Sequence, residues 1–327
     1  MMNYHGPIIG CSAKAEEMRE EVRSIACTNL TVMILGERGT GKDQVANEIH
    51  VKSNRSGPFV RVNCASLPEE LVESELFGSE KGAFTGAESR KGKFELADRG
   101  TIFLDELAEL SRKAQPKLLH VTDTKTIERV GGQRTIKVDF RLIVATNGNI
   151  EEMIRQGKFR PDLYDRLRMD TIRVPPLRER VDDIPLLADY FRGRYADESQ
   201  RRVTQISQEV LDLFRQYLWP GNIRELQNVI RRAVYKSRSE TIRLDDLGFD
   251  FAKKTAEPAI MLGDYGELMQ AYSRQLVAAT LDRSGGNVTK AAKLLNLSRS
   301  QVHRLIKLHR LDGKSSDDGK EGTDWIQ

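Results

Sequence analysis

Thr31-Val-Met-Ile-Leu-Gly-Glu-Arg-Gly-Thr-Gly-Lys42 opens with five residues of strand character and runs into three glycines and a lysine. A helical pattern follows from Gln44 to Val51. The spacing Gly36-x-x-x-x-Gly41-Lys42, set between a strand and a helix, is the context of a phosphate-binding loop. Backbone N–H groups in such a loop curl around an anion, and the helix N-terminus adds a favourable dipole. Lys42 is placed to reach phosphate oxygens as a point charge. Position 43 is Asp rather than Ser or Thr, so the usual hydroxyl ligand for Mg2+ is missing and a metal needs another anchor.

Outward from this loop the chain alternates. Pro58–Cys64, Thr101–Glu106, Phe140–Asn147 and Thr171–Val174 read as further strands. Met18, Val22, Ile25 and Ala26 mark one face of a helix before the loop, and Leu67–Phe77 and Lys113–Val121 read as helices after it. Strands alternating with helices predict an α/β fold, a parallel sheet covered on both faces. Ligands then gather at the carboxyl ends of the strands, where Gly36, Asn63, Asp105 and Asn147 fall. From Ile184 the pattern turns helical, over Ile184–Tyr195, Ser207–Tyr217 and Ile223–Ser237, a small lid. The expected organisation is an α/β part over 1–174, a helical lid over 175–245 and a linker over 246–264. A helix-turn-helix module over 265–312 and a polar tail over 313–327 complete it.

Composition narrows the class. The chain has 327 residues, 39% hydrophobic and 31% charged, with a net charge of +4. That reads as a soluble globular protein, and the charge alone does not imply nucleic-acid binding. The cysteines are Cys11, Cys27 and Cys64, an odd count with no C-x-x-C, so neither a disulfide framework nor a zinc site is expected. Reduced thiols in a cytosol fit best. The first residues lack a basic and an apolar region, so no signal peptide is expected, and no apolar run is long enough for membrane insertion.

The chemistry sits at the strand ends. Asp105-Glu106 after Ile-Phe-Leu is a Walker B pattern: Asp105 can hold Mg2+ through water, and Glu106 can orient the attacking water. An acidic pair facing solvent is the plain alternative, which the upstream loop argues against. Asn63 and Asn147 are short amides able to hold a water or the Glu106 carboxylate, though Asn at a strand end is usually a turn residue. Arg160 and Arg166, before the last strand, can stabilise charge on a γ-phosphoryl group. Surface salt bridges to Asp162 or Asp165 are the alternative, and composition alone favours them.

Near the C-terminus, Asn287 can cap a helix through Leu295, and Ser298 can cap a second running to His309, with a turn between. Val302, Leu305 and Ile306 supply the apolar face of the second helix. Arg299, Ser300, Gln301, His303 and Arg304 are left for groove and phosphate contacts. Lys290, Lys293 and Lys307 add to a stretch without acidic residues, which favours DNA binding over a solvated face.

The whole set resembles one family, the AAA+ ATPase activators of sigma-54 RNA polymerase, or bacterial enhancer-binding proteins. The resemblance runs from about Ile9 to Arg310. It is carried by Gly36–Asp43, Glu73-Ser-Glu-Leu-Phe-Gly78, Gly82-Ala-Phe-Thr-Gly-Ala87, Gly100-Thr-Ile-Phe-Leu-Asp-Glu106, Glu128-Arg-Val-Gly-Gly132, Pro175-Pro-Leu-Arg-Glu-Arg180 and Trp219-Pro-Gly-Asn-Ile-Arg-Glu-Leu226. An acidic residue after the loop lysine is usual there, so Asp43 fits. The resemblance implies ATP and Mg2+ as ligands, with ATP held by Ile9, Gly36, Glu37, Arg38, Gly39, Thr40, Gly41, Lys42 and Asp43. It makes Asn63 a switch restraining Glu106, Thr146 and Asn147 sensor I, Arg160 and Arg166 fingers acting on the neighbouring subunit, and Arg224 sensor II. Gly82, Ala83, Phe84, Thr85, Gly86 and Ala87 become the loop that grips sigma-54, with Phe84 and Thr85 at its tip. Ile127–Gln133, carrying Arg129, becomes a second loop beside it. Two positions depart from the family pattern: Arg99 replaces a common glycine, and His120–Ile127 is more polar than usual.

The C-terminal module resembles the Fis-type domain, which dimerises; Tyr265–Arg283 is the expected pairing helix. The residues placed at DNA are Asn287, Lys290, Ser298, Arg299, Ser300, Gln301, His303, Arg304 and Lys307. The resemblance implies a cytoplasmic activator that binds enhancer DNA, assembles as a ring, by the family pattern a hexamer, and remodels sigma-54 polymerase with ATP. A replication-initiator or helicase-loader ATPase is the rival, which Gly82–Ala87 argues against. A DNA-binding repressor with a vestigial ATPase is a third reading, which the complete Walker and arginine positions argue against. Only eight residues precede Ile9, fewer than the ~40–50 a folded sensing domain needs. That layout resembles the phage-shock and type III secretion activators and implies control by a separate protein acting in trans.

Overall fold

The computed structural model describes residues 8–83, 88–248, 270, 273–274, 276–278, 280–281 and 284–309. The chain divides into two compact units, Met1–Glu257 and Pro258–Gln327. Strands of the first unit are β1 (Val32–Leu35), β2 (Phe59–Asn63), β3 (Gly78–Ser79), β4 (Arg90–Lys91), β5 (Thr101–Asp105), β6 (Thr126–Glu128), β7 (Thr135–Lys137), β8 (Arg141–Thr146), β9 (Asp170–Arg173), β10 (Gln205–Ile206) and β11 (Thr241–Ile242). Its helices are α1 (Ala13–Ala26), α2 (Lys42–Val51), α3 (Val72–Phe77), α4 (Lys93–Leu96), α5 (Ala114–Thr124), α6 (Ile150–Arg155), α7 (Pro161–Leu167), α8 (Ile184–Ser199), α9 (Gln208–Gln216) and α10 (Asn222–Lys236).

Five strands form one parallel sheet in the order β2-β5-β8-β1-β9. Burial explains the order. All six residues of β8 are buried, and β5 is buried from Thr101 to Leu104. Such strands are covered on both faces, so they read as continuous apolar runs. At the edge, β2 leaves Arg61 and Asn63 exposed. The register sets Asn63 opposite Asp105 and Leu35 opposite Thr146, so the polar strand ends lie along one edge. Chain order reverses between β1 and β8, the point where an open sheet of this kind leaves a crevice. Among the helices, α1 is capped by Ser12, whose Oγ accepts from the Ala15 N–H at 3.2 Å, and it buries Ala15, Met18, Val22 and Ile25 at helical spacing.

Several elements depart from the sequence expectation. The helix anticipated from Leu67 begins at Val72, because Pro68–Leu71 closes a separate turn first. Two antiparallel hairpins, β3 with β4 and β6 with β7, were not legible at all. They adjoin: the Val130 N–H donates to Gly78 O at 2.9 Å and the Glu80 N–H to Val130 O at 3.0 Å. Arg99, at the position where the family pattern has glycine, adopts a left-handed φ of 57°. That conformation costs a non-glycine residue roughly 1–2 kcal/mol, which accounts for the usual glycine.

The helical part, α8 to α10 with the short pair β10 and β11, has its own core. Trp219 sits fully buried in it. Its indole N–H donates to Phe214 O at 2.7 Å, and the rings of Phe214 and Tyr217 meet it edge-on. Among the described residues no helix is long and apolar enough to cross a membrane.

In the second unit, the described residues between 270 and 281 are helical. Two further helices follow, Val288–Leu295 and Arg299–Leu308. Ala291, Ala292 and Val302 are buried, while Leu305 and Ile306 are half-buried. The His309 ring nitrogen Nε2 meets Ser273 Oγ at 2.9 Å, tying the last helix to the earlier segment. The rest of the expected pairing helix, most of the linker and the tail over 313–327 lie outside the described residues.

Candidate functional site

Gly36 leaves β1, and the loop reaches the N-terminus of α2 at Gly41. Gly39 has φ 77°, and a Cβ built there would lie 2.3 Å from Gly221 O, so both conformation and space require glycine. The Thr40 hydroxyl donates to Glu37 O at 2.9 Å and closes the turn. Lys42 is buried and donates through Nζ to Gly36 O at 2.8 Å and Glu37 O at 2.9 Å. Its ammonium thus lies in the hollow of the loop, where the first N–H groups of α2 have no intrahelical acceptor. Burial pulls the Lys42 pKa below the usual lysine value; Asp105, Glu106 and Asp43 oppose this, and the Arg224 charge reinforces it. A cationic hollow of backbone donors flanked by acids fits a magnesium-bound phosphate chain, and the donor set is hard oxygen, the kind Mg2+ takes.

Asp105 ends β5, and its Oδ1 accepts from the Glu106 N–H at 3.0 Å. Glu106 is half-buried and has a left-handed φ of 54°, a strained placement for a glutamate at the end of a strand. Beside it, the Cys64 thiol is buried, and burial with the Asp105 and Glu106 charges pushes it up to about 12, so it stays protonated. Asn63 directs its Oδ1 to the Ala65 N–H at 3.0 Å, capping its own turn. Thr146 is buried, and its Oγ1 accepts from the Gly148 N–H at 3.0 Å, while Asn147 is exposed. Ile9 packs on the core of the helical part.

The two arginines lie at the start and within α7. Arg160 grips Asp162 through Nε and Nη2 at 3.0 and 2.6 Å. Arg166 pairs with Asp123 at 2.7 Å, a partner distant in sequence, rather than with Asp162 or Asp165. Both side chains are about two-fifths exposed. Gln115, which sequence reasoning missed, fixes the backbone at Arg160. It is fully buried, donates to Leu110 O and Lys158 O at 3.2 and 3.1 Å, and accepts from the Arg160 N–H at 3.0 Å.

The helical part is fastened to the loop by residues whose motifs were visible but whose roles were not. Asn222 is fully buried at φ 51° and links three segments. Its Oδ1 accepts from the Leu177 N–H at 2.8 Å, and its Nδ2 donates to Glu37 Oε2 and Arg38 O at 3.1 and 3.0 Å. Arg178 holds Glu37 in a two-pronged pair at 2.8 and 2.6 Å. Buried Arg180 donates to Thr40 O at 2.9 Å. The Arg224 N–H donates to Gly39 O at 3.2 Å, and its exposed side chain stands close enough to Lys42 to depress it. The Arg178 guanidinium, helped by Asn222, holds the Glu37 carboxyl down at about 2. A depressed carboxylate stabilises the fold above its ordinary value and loses that contribution as pH falls toward the folded value. This latch is therefore intact at neutral pH and weakens only as pH falls from 4.5 toward about 2. Asn222→Ala strips three side-chain hydrogen bonds, one buried and two part-buried, and puts alanine in the left-handed region. We expect roughly 2–4 kcal/mol of lost stability in denaturant unfolding. A shift below ~0.5 kcal/mol, the range of ordinary surface substitutions, would contradict the latch.

Gly82 and Ala83 lie in the turn that follows β3, where the Ala83 N–H donates to Glu80 O at 3.2 Å, and Phe84, Thr85, Gly86 and Ala87 fall outside the described residues. A Cβ built on Gly131 would lie 2.6 Å from Ala83 Cβ, so the two loops touch at their stems. Arg129 joins them. It holds Glu95 through Nε and Nη2 at 2.9 and 2.8 Å and Glu80 through Nη1 at 3.0 Å. Hydrogen bonding to Glu95 raises the Arg129 pKa above the usual arginine value. Charge-assisted pairs of this kind contribute about 1.5–3 kcal/mol. Arg129→Ala should therefore speed amide exchange at Glu80 and Val130 by about tenfold or more, the equivalent of ~1.4 kcal/mol. Unchanged protection there would show that the stems hold without it.

In the second unit, Asn287 Oδ1 accepts from the Lys290 N–H at 3.0 Å. Ser298 and Gln301 form a reciprocal cap: Oγ accepts from the Gln301 N–H at 3.3 Å and Oε1 from the Ser298 N–H at 2.9 Å. These three residues, placed at DNA by sequence, carry structural bonds as well. Lys290, Arg299, Ser300, His303, Arg304 and Lys307 are exposed.

Comparison with known proteins follows the same division. The sigma-54 interaction domain matches residues 8–173, the AAA+ ATPase lid domain 178–260, and the Fis-family bacterial regulatory domain 272–307. The chain is 40% identical over 325 residues to the Psp operon transcriptional activator of Escherichia coli K12, covering 95% of this chain and all of the relative. It is 44% identical over 310 residues to the nitrogen fixation protein AnfA of Azotobacter vinelandii, covering 94% of this chain but 58% of that protein. The crystal structure of Brucella abortus NtrX in complex with ATP superposes with a TM-score of 0.68 at 33% identity, over 93% of this chain and 69% of that one. With all three domains matched in order and relatives at this identity over nearly its whole length, the chain belongs to the sigma-54-dependent transcriptional activators.

Proposed function

We propose that this protein is an ATP-hydrolysing, cytoplasmic activator that binds enhancer DNA through its helix-turn-helix and remodels sigma-54 RNA polymerase for open-complex formation. One observation carries the reading: Lys42 in its loop, Asp105-Glu106 and the Arg224 segment of the helical part converge on one edge of the sheet. Mg-ATP, when bound, would supply the scissile anhydride and a divalent charge against the phosphates. The chain's own residues do the rest. Lys42 exchanges two loop carbonyls for phosphate oxygens, and the N-terminus of α2 adds its dipole. Asp105 would hold the metal. Glu106 orients and polarises the attacking water. Arg224, seated by its backbone bond to Gly39, would read the nucleotide from the lid.

Arg160 and Arg166 act on a neighbouring subunit in a ring, by the family's pattern a hexamer. Their exposure supports this, because a residue acting in trans must reach beyond its own subunit. Their aspartate partners are exposed, and such pairs are weak and salt-screened, so release at an interface costs little. Gly82–Ala87 engages sigma-54, and Arg129 joins its stem to the neighbouring loop. The test is ATP hydrolysis by the intact chain with Mg2+, across protein concentration. Specific activity should rise as rings assemble; absence of hydrolysis at every concentration would refute the reading.

A further inference from the structure

Arg61 has no part in the reading above, yet it lies on the metal-holding carboxylate. It stands on edge strand β2, in register with Phe103 of β5. Its guanidinium carbon sits 5.8 Å from the centre of the Phe103 ring. One nitrogen, Nη1, is 3.0 Å from Asp43 Oδ2, and Nη2 is 3.4 Å from Asp105 Oδ2. One cation thus bridges the acid that follows Lys42 and the acid that ends β5. The arginine is partly exposed, and Asp105 is more sheltered, at 39% and 16%. The contact to Asp43 is the shorter one, so the guanidinium has a second partner to retain if it leaves Asp105.

We propose that Arg61 is a resident cation that neutralises Asp105 between nucleotides, so that the divalent-metal requirement of nucleotide binding is set by exchange of this guanidinium for the metal. Asp43 takes the displaced arginine, and the Phe103 ring keeps it at the edge of the site. The acidic residue after the loop lysine then has a role other than ligation: it parks the arginine. The inference rests on the reading of Asp105 as the metal anchor.

The experiment is Mg2+ titration of the intact chain at fixed fluorescent ADP, for the parent, Arg61→Ala and Arg61→Lys, with a separate arm in excess chelator. Removing a cation that competes at this distance in a partly solvated site should lower the half-saturating Mg2+ roughly 3- to 10-fold in Arg61→Ala. Affinity for ADP in chelator should fall or stay the same, since a positive charge has left the site. A lower Mg2+ requirement without tighter binding in chelator separates the effect from a folding defect, which would weaken both. Arg61→Lys keeps the charge but not the two-pronged bridge, and should fall between the parent and Arg61→Ala. A Mg2+ requirement unmoved in Arg61→Ala, or moved equally in Arg61→Lys, overturns the inference while leaving the nucleotide site intact. Failure of the parent to bind ADP with or without Mg2+ overturns the nucleotide reading itself, and the inference with it.

Discussion

Glu106→Gln should bind Mg-ATP as the parent does and lose turnover by ~10²–10⁴-fold, the usual contribution of a positioned general base. The substitution is nearly silent for the fold. Glutamine tolerates the left-handed φ of 54° as poorly as glutamate does, so the strain is unchanged. The backbone bonds at this residue, its N–H to Asp105 Oδ1 and its carbonyl to the Glu109 N–H, do not involve the carboxylate. Lys42 and the loop that holds it stay as they are. What is lost is the charge that orients the water. Equilibrium nucleotide binding and steady-state hydrolysis, measured on the same preparation, separate the two effects. Turnover near the parent level would remove Glu106 from the mechanism.

Arg160→Ala and Arg166→Ala should each lower turnover strongly, toward the ~10³–10⁵-fold that an arginine finger supplies in trans. Nucleotide affinity should change far less, because neither arginine touches the loop of its own protomer. Mixing either variant with Glu106→Gln protein should restore part of the activity. In a mixed ring some interfaces pair an intact Glu106 on one subunit with intact arginines on the next. The buried Gln115 keeps the Arg160 backbone in place, so truncating the side chain leaves α7 standing. No rescue at any mixing ratio would assign both arginines to the surface pairs with Asp162 and Asp123.

Local spacing decided what the sequence could tell. Gly36–Lys42 and Asp105-Glu106 are short motifs whose chemistry depends on neighbours in the chain, so their placement at strand ends along one edge of the sheet was legible. The caps of the helix-turn-helix were legible for the same reason, since Asn287 and Ser298 bond residues three positions on. Asn222 was not, because its partner Glu37 is 185 positions away and nothing local marks an asparagine as a link. Gln115 and Arg61 escaped likewise, since their partners lie 45, 18 and 44 positions off. Arg166 was paired in expectation with the nearest aspartates, whereas the fold brings Asp123 to it. The hairpins β3–β4 and β6–β7 have strands of two or three residues, too short for a period-two pattern to register. The family resemblance supplied roles for Phe84 and Thr85 that neither spacing nor packing gives, and those residues fall outside the described part of the chain.

ATP hydrolysis at the strand edge should be delivered to sigma-54 through Gly82–Ala87. Open-complex formation at a sigma-54 promoter carrying an upstream site for this protein tests it most directly, with the parent and Thr85→Ala compared at equal ATPase activity. ATP-dependent open complexes are expected with the parent and none with Thr85→Ala. Open complexes formed equally well by Thr85→Ala, or hydrolysis by the parent with no open complexes at all, would contradict it.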